Sequence, residues 1–289
     1  MQRDFPALRR RIATRALAVA VLAAGGGAAV VQAAPAGDTL GMAASTNPLA
    51  RAIPAAELRW QSSMAAFAAS DRAKAPATDG VLFVGSSTIR MWTDLAQDFR
   101  KQPVVINRGF GGSTMADCTY FVKQLVLQYK PRQVLVYAGD NDLAEGRTPE
   151  QVLESFQSFV RTVRQELPHA HIDYISIKPS PLRASLMPKV REANALLAAY
   201  VRTVPNAQYI DIFTPMLDAT GAPRMELFGQ DRLHMNEAGY DLWQSVIGAY
   251  VDAPGGNPAD RPATLATSAP PAASTPAPVL TSSAAAVAR

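Results

Sequence analysis

The chain of 289 residues holds three histidines, and only His234 follows an aspartate three positions earlier, in "DRLH", residues 231–234. An imidazole takes up a proton near neutral pH, and a carboxylate on one ring nitrogen leaves the other free to act as base. A hydroxyl for such a base lies in "GSST", residues 85–88, where Ser86 and Ser87 follow an apolar run. Two further segments supply hydrogen-bond donors. Gly112, in "NRGFGGST" (107–114), presents a backbone N–H with no side chain to obstruct approach, and Asn141, in "GDND" (139–142), presents a side-chain amide. Acyl transfer by serine needs a nucleophile, a base with an orienting partner, and donors for the oxyanion. Ser87 fits the first role, His234 and Asp231 the second, and Gly112, Asn141 and the N–H of Ser87 the third.

Taken singly, each of these residues also suits a cap or a turn. The elements that carry them bring them together. Apolar β-rich runs at 81–85, 104–109, 133–139, 172–179 and 208–213 alternate with helical patterns at 114–129, 149–167, 187–203 and 236–251, and another helical pattern at 54–70 precedes the first run. Near-continuous apolar strands separated by helices predict a five-stranded parallel sheet covered on both faces, a three-layer α/β/α sandwich. Chemistry in such sheets gathers at the carboxyl ends of the strands, which is where the three polar segments fall. The loop after the fourth strand, "IKPSPLR", brings Lys178 and Arg183 to the same edge, either as contacts for a substrate carboxylate or phosphate or as solvated loop charges. Asp140 and Asp142, flanking Asn141, weigh against a strongly anionic partner.

Other chemistries are poorly served. His169 and His171 precede the fourth strand and belong to the opposite end of the sheet. No HExxH or CxxC spacing exists, so neither a metal nor a cofactor is expected. "GFGGST" lacks the third glycine of a dinucleotide fingerprint, and "GSSTI" lacks the second glycine of the GxSxG elbow. The one cysteine, Cys118, sits at helical spacing from Val122 and Leu125 and reads as a small buried residue. Trp60 and Trp243 lie in amphipathic helices, where packing is the default use of an aromatic ring.

At this level of detail the chain resembles the SGNH or GDSL hydrolases. "GSS" (85–87) is similar to the nucleophile block, "NRGFGG" (107–112) to the glycine block, "GDND" (139–142) to the GxND block and "DRLH" (231–234) to the DxxH block. The resemblance implies a flavodoxin-like SGNH hydrolase fold, the triad Ser87, Asp231 and His234, an oxyanion hole of Ser87, Gly112 and Asn141, and cofactor-free hydrolysis of carboxylic esters or thioesters. The usual GDS reads Gly-Ser-Ser here, with Ser86 in the place of the aspartate. Ser87 is favoured over Ser86 as nucleophile because neighbouring residues leaving a strand point to opposite sides. The expected activity is that of an esterase acting on small acyl or acetyl esters. The alternatives are an acyltransferase or O-acetyl-modifying enzyme of envelope polysaccharide, and a non-catalytic glycan- or partner-binding protein.

The ends of the chain differ from its middle. Residues 1–15 hold five arginines and one aspartate, and residues 16–37 are uncharged, small and apolar. This pattern predicts a signal peptide over 1–36, cleaved after Ala34 or Ala36, with Gly25–Gly27 interrupting the apolar run too early for a spanning helix. The chain has 28 basic and 24 acidic residues, so loss of that segment leaves 23 of each, and the mature protein is formally neutral. Neutrality, without any Lys/Arg run, gives no support for nucleic acid or an anionic membrane as a partner. A linker at 37–50, a hydrolase domain at 51–252 and an Ala/Pro/Ser/Thr-rich disordered tail at 253–289 complete the predicted organisation, with the protein periplasmic or secreted.

Overall fold

A computed structural model of the chain describes residues 48–251; the expected signal segment, nearly all of the linker and the tail lie outside the described residues. The path runs α1 (Pro48–Ala73), β1 (Val81–Gly85), α2 (Ser87–Arg90), α3 (Leu95–Asp98), β2 (Val105–Gly109), α4 (Met115–Tyr120), α5 (Val122–Leu125) and β3 (Gln133–Tyr137). It continues through α6 (Asp140–Ala144), α7 (Pro149–Glu166), β4 (His171–Ile175), a 3₁₀ segment (Pro181–Leu186), α8 (Met187–Val201), β5 (Ala207–Ile210) and α9 (Glu237–Val251).

All five strands pair in parallel, in the order β2-β1-β3-β4-β5. Side chains alternate across β1: Leu82 and Val84 join the core beneath α1, α4, α5, α7 and α8, whereas Val81 and Phe83 join the core beneath α2, α3 and α9. Both faces of the strand are therefore sealed, which is why its sequence, VLFVG, carries no polar alternation. The three-layer α/β/α sandwich expected from the sequence is the fold observed.

The first strand forms over the residues expected. Elsewhere the boundaries move for identifiable reasons. The third strand stops at Tyr137, and Gly139 turns the chain away with φ of +119°. The helical pattern at 114–129 is broken into α4, α5 and a 3₁₀ turn. Thr114 and Asp117 start it with a reciprocal capping box. The Thr119 hydroxyl then lies 2.9 Å from the carbonyls of both Met115 and Ser155, a back-bonding arrangement that bends helices, and the turn at Phe121 separates α4 from α5.

The three tryptophans are packing residues. Trp243 is fully buried against Trp92 and Tyr137, and Trp60 packs edge-on against Phe110 at 5.0 Å. Cys118 is likewise buried, and burial, with Asp142 and Asp117 nearby, pushes its thiol well above the ordinary cysteine range.

Candidate active site

The strand order does the first part of the assembly. β1 lies between β2 and β3, so Ser87, just past β1, is flanked by the loop after β2 that carries Gly112 and by the short helix α6 after β3 that carries Asn141. Gly85 makes the close turn out of β1 possible: a Cβ there would sit 1.9 Å from the Tyr137 carbonyl oxygen, and its φ is +151°. The next residue, Ser86, is buried, donates its N–H to Tyr137 O at 3.1 Å, and turns its hydroxyl into the protein interior. Ser87 opens α2 and faces the other way. The fork between the two hydroxyls therefore follows from backbone geometry.

Ser87 Oγ lies 2.9 Å from His234 Nε2, and His234 Nδ1 lies 2.6 Å from Asp231 Oδ2. Asp231 Oδ1 also accepts the backbone N–H groups of Leu233 and His234, both at 3.0 Å. Together these bonds, the one from the imidazole foremost, hold the Asp231 carboxyl down at about 2. An ionised carboxylate only accepts, so Nδ1 must carry a proton, and in the neutral ring Nε2 is left as acceptor for the serine O–H. The arrangement is an unbroken relay from hydroxyl to imidazole to carboxylate.

The loop that holds the base is braced on both sides. Arg232 takes a left-handed conformation with φ of +57°, its N–H reaches Gly229 O at 2.9 Å, and the Gly229 N–H reaches His234 O at 2.8 Å. Asn236 Oδ1 then accepts the N–H of Gly239 at 3.1 Å as the cap of α9, while its amide donates to Glu226 O and Phe228 O.

On the donor side, Gly112 has φ of +81°, a conformation that glycine adopts without strain. Arg59 of α1 donates to its carbonyl at 3.3 Å and pairs with Glu145 at 3.0 Å. Asn141 is held at both ends of its amide: Nδ2 donates to Ser113 O at 3.0 Å, and Oδ1 accepts from Arg183 Nη2 at 2.9 Å. Ser87 N–H, at the first position of α2, has no intrahelical acceptor.

The two expected substrate cations behave differently from the expectation. Lys178 is only 2% exposed, with Nζ 3.0 Å from Asp140 Oδ2 and 3.1 Å from the Tyr137 hydroxyl, so it cannot meet a substrate. The cause is topological: β3 and β4 are neighbours, so the residues just past their ends meet. Arg183 also turns inward, with Nη1 3.1 Å from Asp140 Oδ2. Burial alone would raise the Asp140 carboxyl, but Lys178 and Arg183 outweigh it and hold it below the ordinary range. Burial lowers the Lys178 ammonium, with Asp140 opposing. Asp140 and Asp142 are both buried, and Asp140 is paired with Lys178 and Arg183. Asp142 instead accepts the N–H of Met115, at 2.9 and 3.1 Å to its two oxygens, and burial pushes its carboxyl up to about 6. His171 begins β4, at the sheet end away from these loops, as expected.

Three contacts that support the site could not be read from the sequence. Arg59 lies in α1, 53 residues before the carbonyl it meets, and the partnership of Arg183 with Asn141 spans 42 residues. Asn107 ties α2 to β2, donating to Ile89 O at 2.7 Å and accepting from Gly109 N–H at 2.8 Å.

A sequence model described as the GDSL-like Lipase/Acylhydrolase family matches residues 69–242. The chain belongs to this family. The GDSL-like lipase/acylhydrolase region contains Ser87, Gly112, Asn141, Asp231 and His234, whereas most of α1 precedes it. Among solved structures, a GDSL-like lipase from Bacteroides thetaiotaomicron is similar with a TM-score of 0.57 at 21% identity, over 65% of this chain and 97% of that one. A catalytic mutant of an acetylxylan esterase from Geobacillus stearothermophilus is similar with a TM-score of 0.52 at 13% identity, over 61% of this chain and 95% of that one. At such identities the likeness is one of GDSL-like fold. No curated protein is significantly similar in sequence.

Proposed function

We propose that the protein is a serine esterase that cleaves small acyl esters through an acyl-enzyme on Ser87. The observation that carries this reading is the relay of Ser87 Oγ, His234 and Asp231, with contacts of 2.9 and 2.6 Å. Family membership supports ester hydrolysis as the reaction class.

In the first step the Ser87 oxygen attacks the ester carbonyl while its proton passes to His234 Nε2, and Asp231 stabilises the imidazolium that results. The N–H groups of Ser87 and Gly112 and the free N–H of Asn141 receive the oxyanion. Collapse of the tetrahedral intermediate returns the proton from His234 to the leaving alkoxide, releasing an alcohol and leaving the acyl group on Ser87. Water, activated by the same imidazole, then attacks the acyl-enzyme, and the carboxylic acid departs with Ser87 restored.

Acetyl esters are the first substrate class to test, because a structure that shares the fold is that of an acetylxylan esterase. Export is part of the same proposal: a basic start followed by a short apolar, small-residue run supports a signal peptide over residues 1–36. Among the described residues no helix is long and apolar enough to cross a membrane. Hydrolysis of 4-nitrophenyl acetate by the wild type and by Ser87→Ala tests the reading. Turnover in the wild type, reduced at least about a thousandfold in the variant, is expected; undiminished turnover in Ser87→Ala would refute it.

A further inference from the structure

Arg183 was a candidate substrate contact from its position in the loop after β4, yet the structure shows its guanidinium committed elsewhere. Nη2 donates to Asn141 Oδ1 at 2.9 Å, and Nη1 sits 3.1 Å from Asp140 Oδ2, sealed from solvent. Nη1 is thereby shut away from a bound ester, and Nη2 spends one of its two N–H groups on Asn141. We infer that Arg183 is a positioning residue: it fixes the side-chain amide of Asn141 with its NH₂ toward the oxyanion and does not itself touch the substrate. This inference rests on the proposed hydrolase reading of the site.

The physical case starts from the amide. Asn141 has two faces of opposite character, and a flip of its side chain would aim a carbonyl oxygen, not a donor, at the developing oxyanion. Oδ1 facing a guanidinium and Nδ2 facing the Ser113 carbonyl make the flipped state doubly unfavourable, since it would oppose donor to donor and acceptor to acceptor. A hydrogen bond from a charged donor also polarises the amide and strengthens its remaining N–H as a donor. Arg183 is in turn held by what lies behind it. Asp140 sits between two cations, with Lys178 Nζ 3.0 Å and Arg183 Nη1 3.1 Å from the same oxygen, and the side chain of Lys178 is 1% exposed. Asp140 is thereby anchored between Lys178 and Arg183 and holds the guanidinium in place beside Asn141.

The backbone of the same segment reaches the other half of the site. Arg183 departs from helical geometry inside the 3₁₀ turn, with φ of −109° and ψ of 27°, and its N–H bonds to Ser180 O at 2.9 Å. One residue earlier, the Leu182 N–H donates to Arg232 O at 2.9 Å, between Asp231 and His234 in the chain. Residues 182 and 183 thus tie the donor side to the base side.

The test is a double-mutant cycle in the full-length protein, with kcat and KM for 4-nitrophenyl acetate measured in wild type, Arg183→Ala, Asn141→Ala and the double variant. Arg183→Ala is expected to lower kcat about tenfold with KM nearly unchanged, because Ser113 still holds one side of the amide. In the Asn141→Ala background the same change should cost less than about twofold. Arg183→Lys, which keeps the charge beside Asp140 and is the safer variant for folding, should fall between wild type and Arg183→Ala in kcat. Full multiplication of the two single losses, or a rise in KM with kcat unchanged, would overturn the inference and leave the esterase reading intact. A wild-type protein that hydrolyses no ester would overturn both. Should Arg183→Ala fail to fold, the cycle run with Arg183→Lys decides by the same criterion.

Discussion

Ser86 and Ser87 have the same side chain, yet their surroundings give them different chemistry. Ser86 is buried at a turn forced by the close approach of Gly85 to Tyr137, and Ser87 is presented to His234. Asp231, about half exposed, has its carboxyl lowered by the bonds it accepts, chiefly from the imidazole. Because its carboxyl is held at about 2, it stays charged throughout the range in which enzymes are assayed, so an acid limb of activity above about pH 4 should not report protonation of Asp231. Asp231→Asn should reduce kcat by about three to four orders of magnitude, through loss of the tautomer that leaves Nε2 as acceptor; steady-state kinetics check this. The same depressed carboxyl has a stability consequence. Its folded value lies below its unfolded one, so its contribution is present above about pH 4 and lost as the pH falls toward 2. Melting temperatures at pH 5 and 2.5 should therefore differ less in Asp231→Asn than in the wild type.

At the scale of elements, the site depends on turns that leave little freedom. Gly85→Ala places a Cβ against a backbone carbonyl that belongs to the β1–β3 ladder, where nothing can yield cheaply. The expected loss is more than about 2 kcal/mol in chemical denaturation. Asp142 anchors the start of α4 from α6, and its carboxyl is pushed up to about 6 by burial. The sign follows from linkage: a folded value above the unfolded one means that the folded state holds the proton more tightly, so stability falls as the pH rises from about 4 through 6, by up to about 3 kcal/mol. Asp142→Asn retains an acceptor for Met115 and should flatten that decline, as denaturant midpoints across pH 4–8 would show. The alternation of apolar runs and amphipathic segments was enough to read the layers and the order of strands and helices from the chain, although the third, fourth and fifth strands end earlier, at Tyr137, Ile175 and Ile210, than the apolar runs do. The break in 114–129 was not readable, because it depends on a hydroxyl that finds the Ser155 carbonyl from a helix 36 residues away. The burial of Lys178 was hidden for a similar reason: a loop lysine becomes a buried ion pair only once β4 lies beside β3.

For the whole molecule, the notable element is α1, most of which precedes the family match yet reaches the proposed oxyanion loop through Arg59 and packs on Phe110 through Trp60. Trp60 also lies 3.8 Å from where a side chain on Gly112 would begin. Trp60→Ala should cost about 3 kcal/mol of stability in thermal or denaturant unfolding, and should lower kcat through looser placement of Gly112. Export is tested by amino-terminal sequencing of protein recovered outside the cytoplasm of a bacterial host: a start at residue 35 or 37 is expected, and an intact Met1 would contradict it. The proposed site was legible in sequence because the segments of Ser87, Gly112 and Asn141 follow strands and His234 is the histidine with an aspartate three positions earlier, whereas the contacts of Arg59, Arg183 and Asn107 with Gly112, Asn141 and Ile89 form only in the folded state. The most direct measurement of the central claim is covalent labelling of the folded wild-type protein with a fluorophosphonate, followed by mass spectrometry of its peptides. Wild-type protein should carry one adduct, on Ser87, absent from Ser87→Ala and strongly slowed in His234→Ala; an unlabelled protein, or an adduct on Ser86, would show that Ser87 is not the nucleophile.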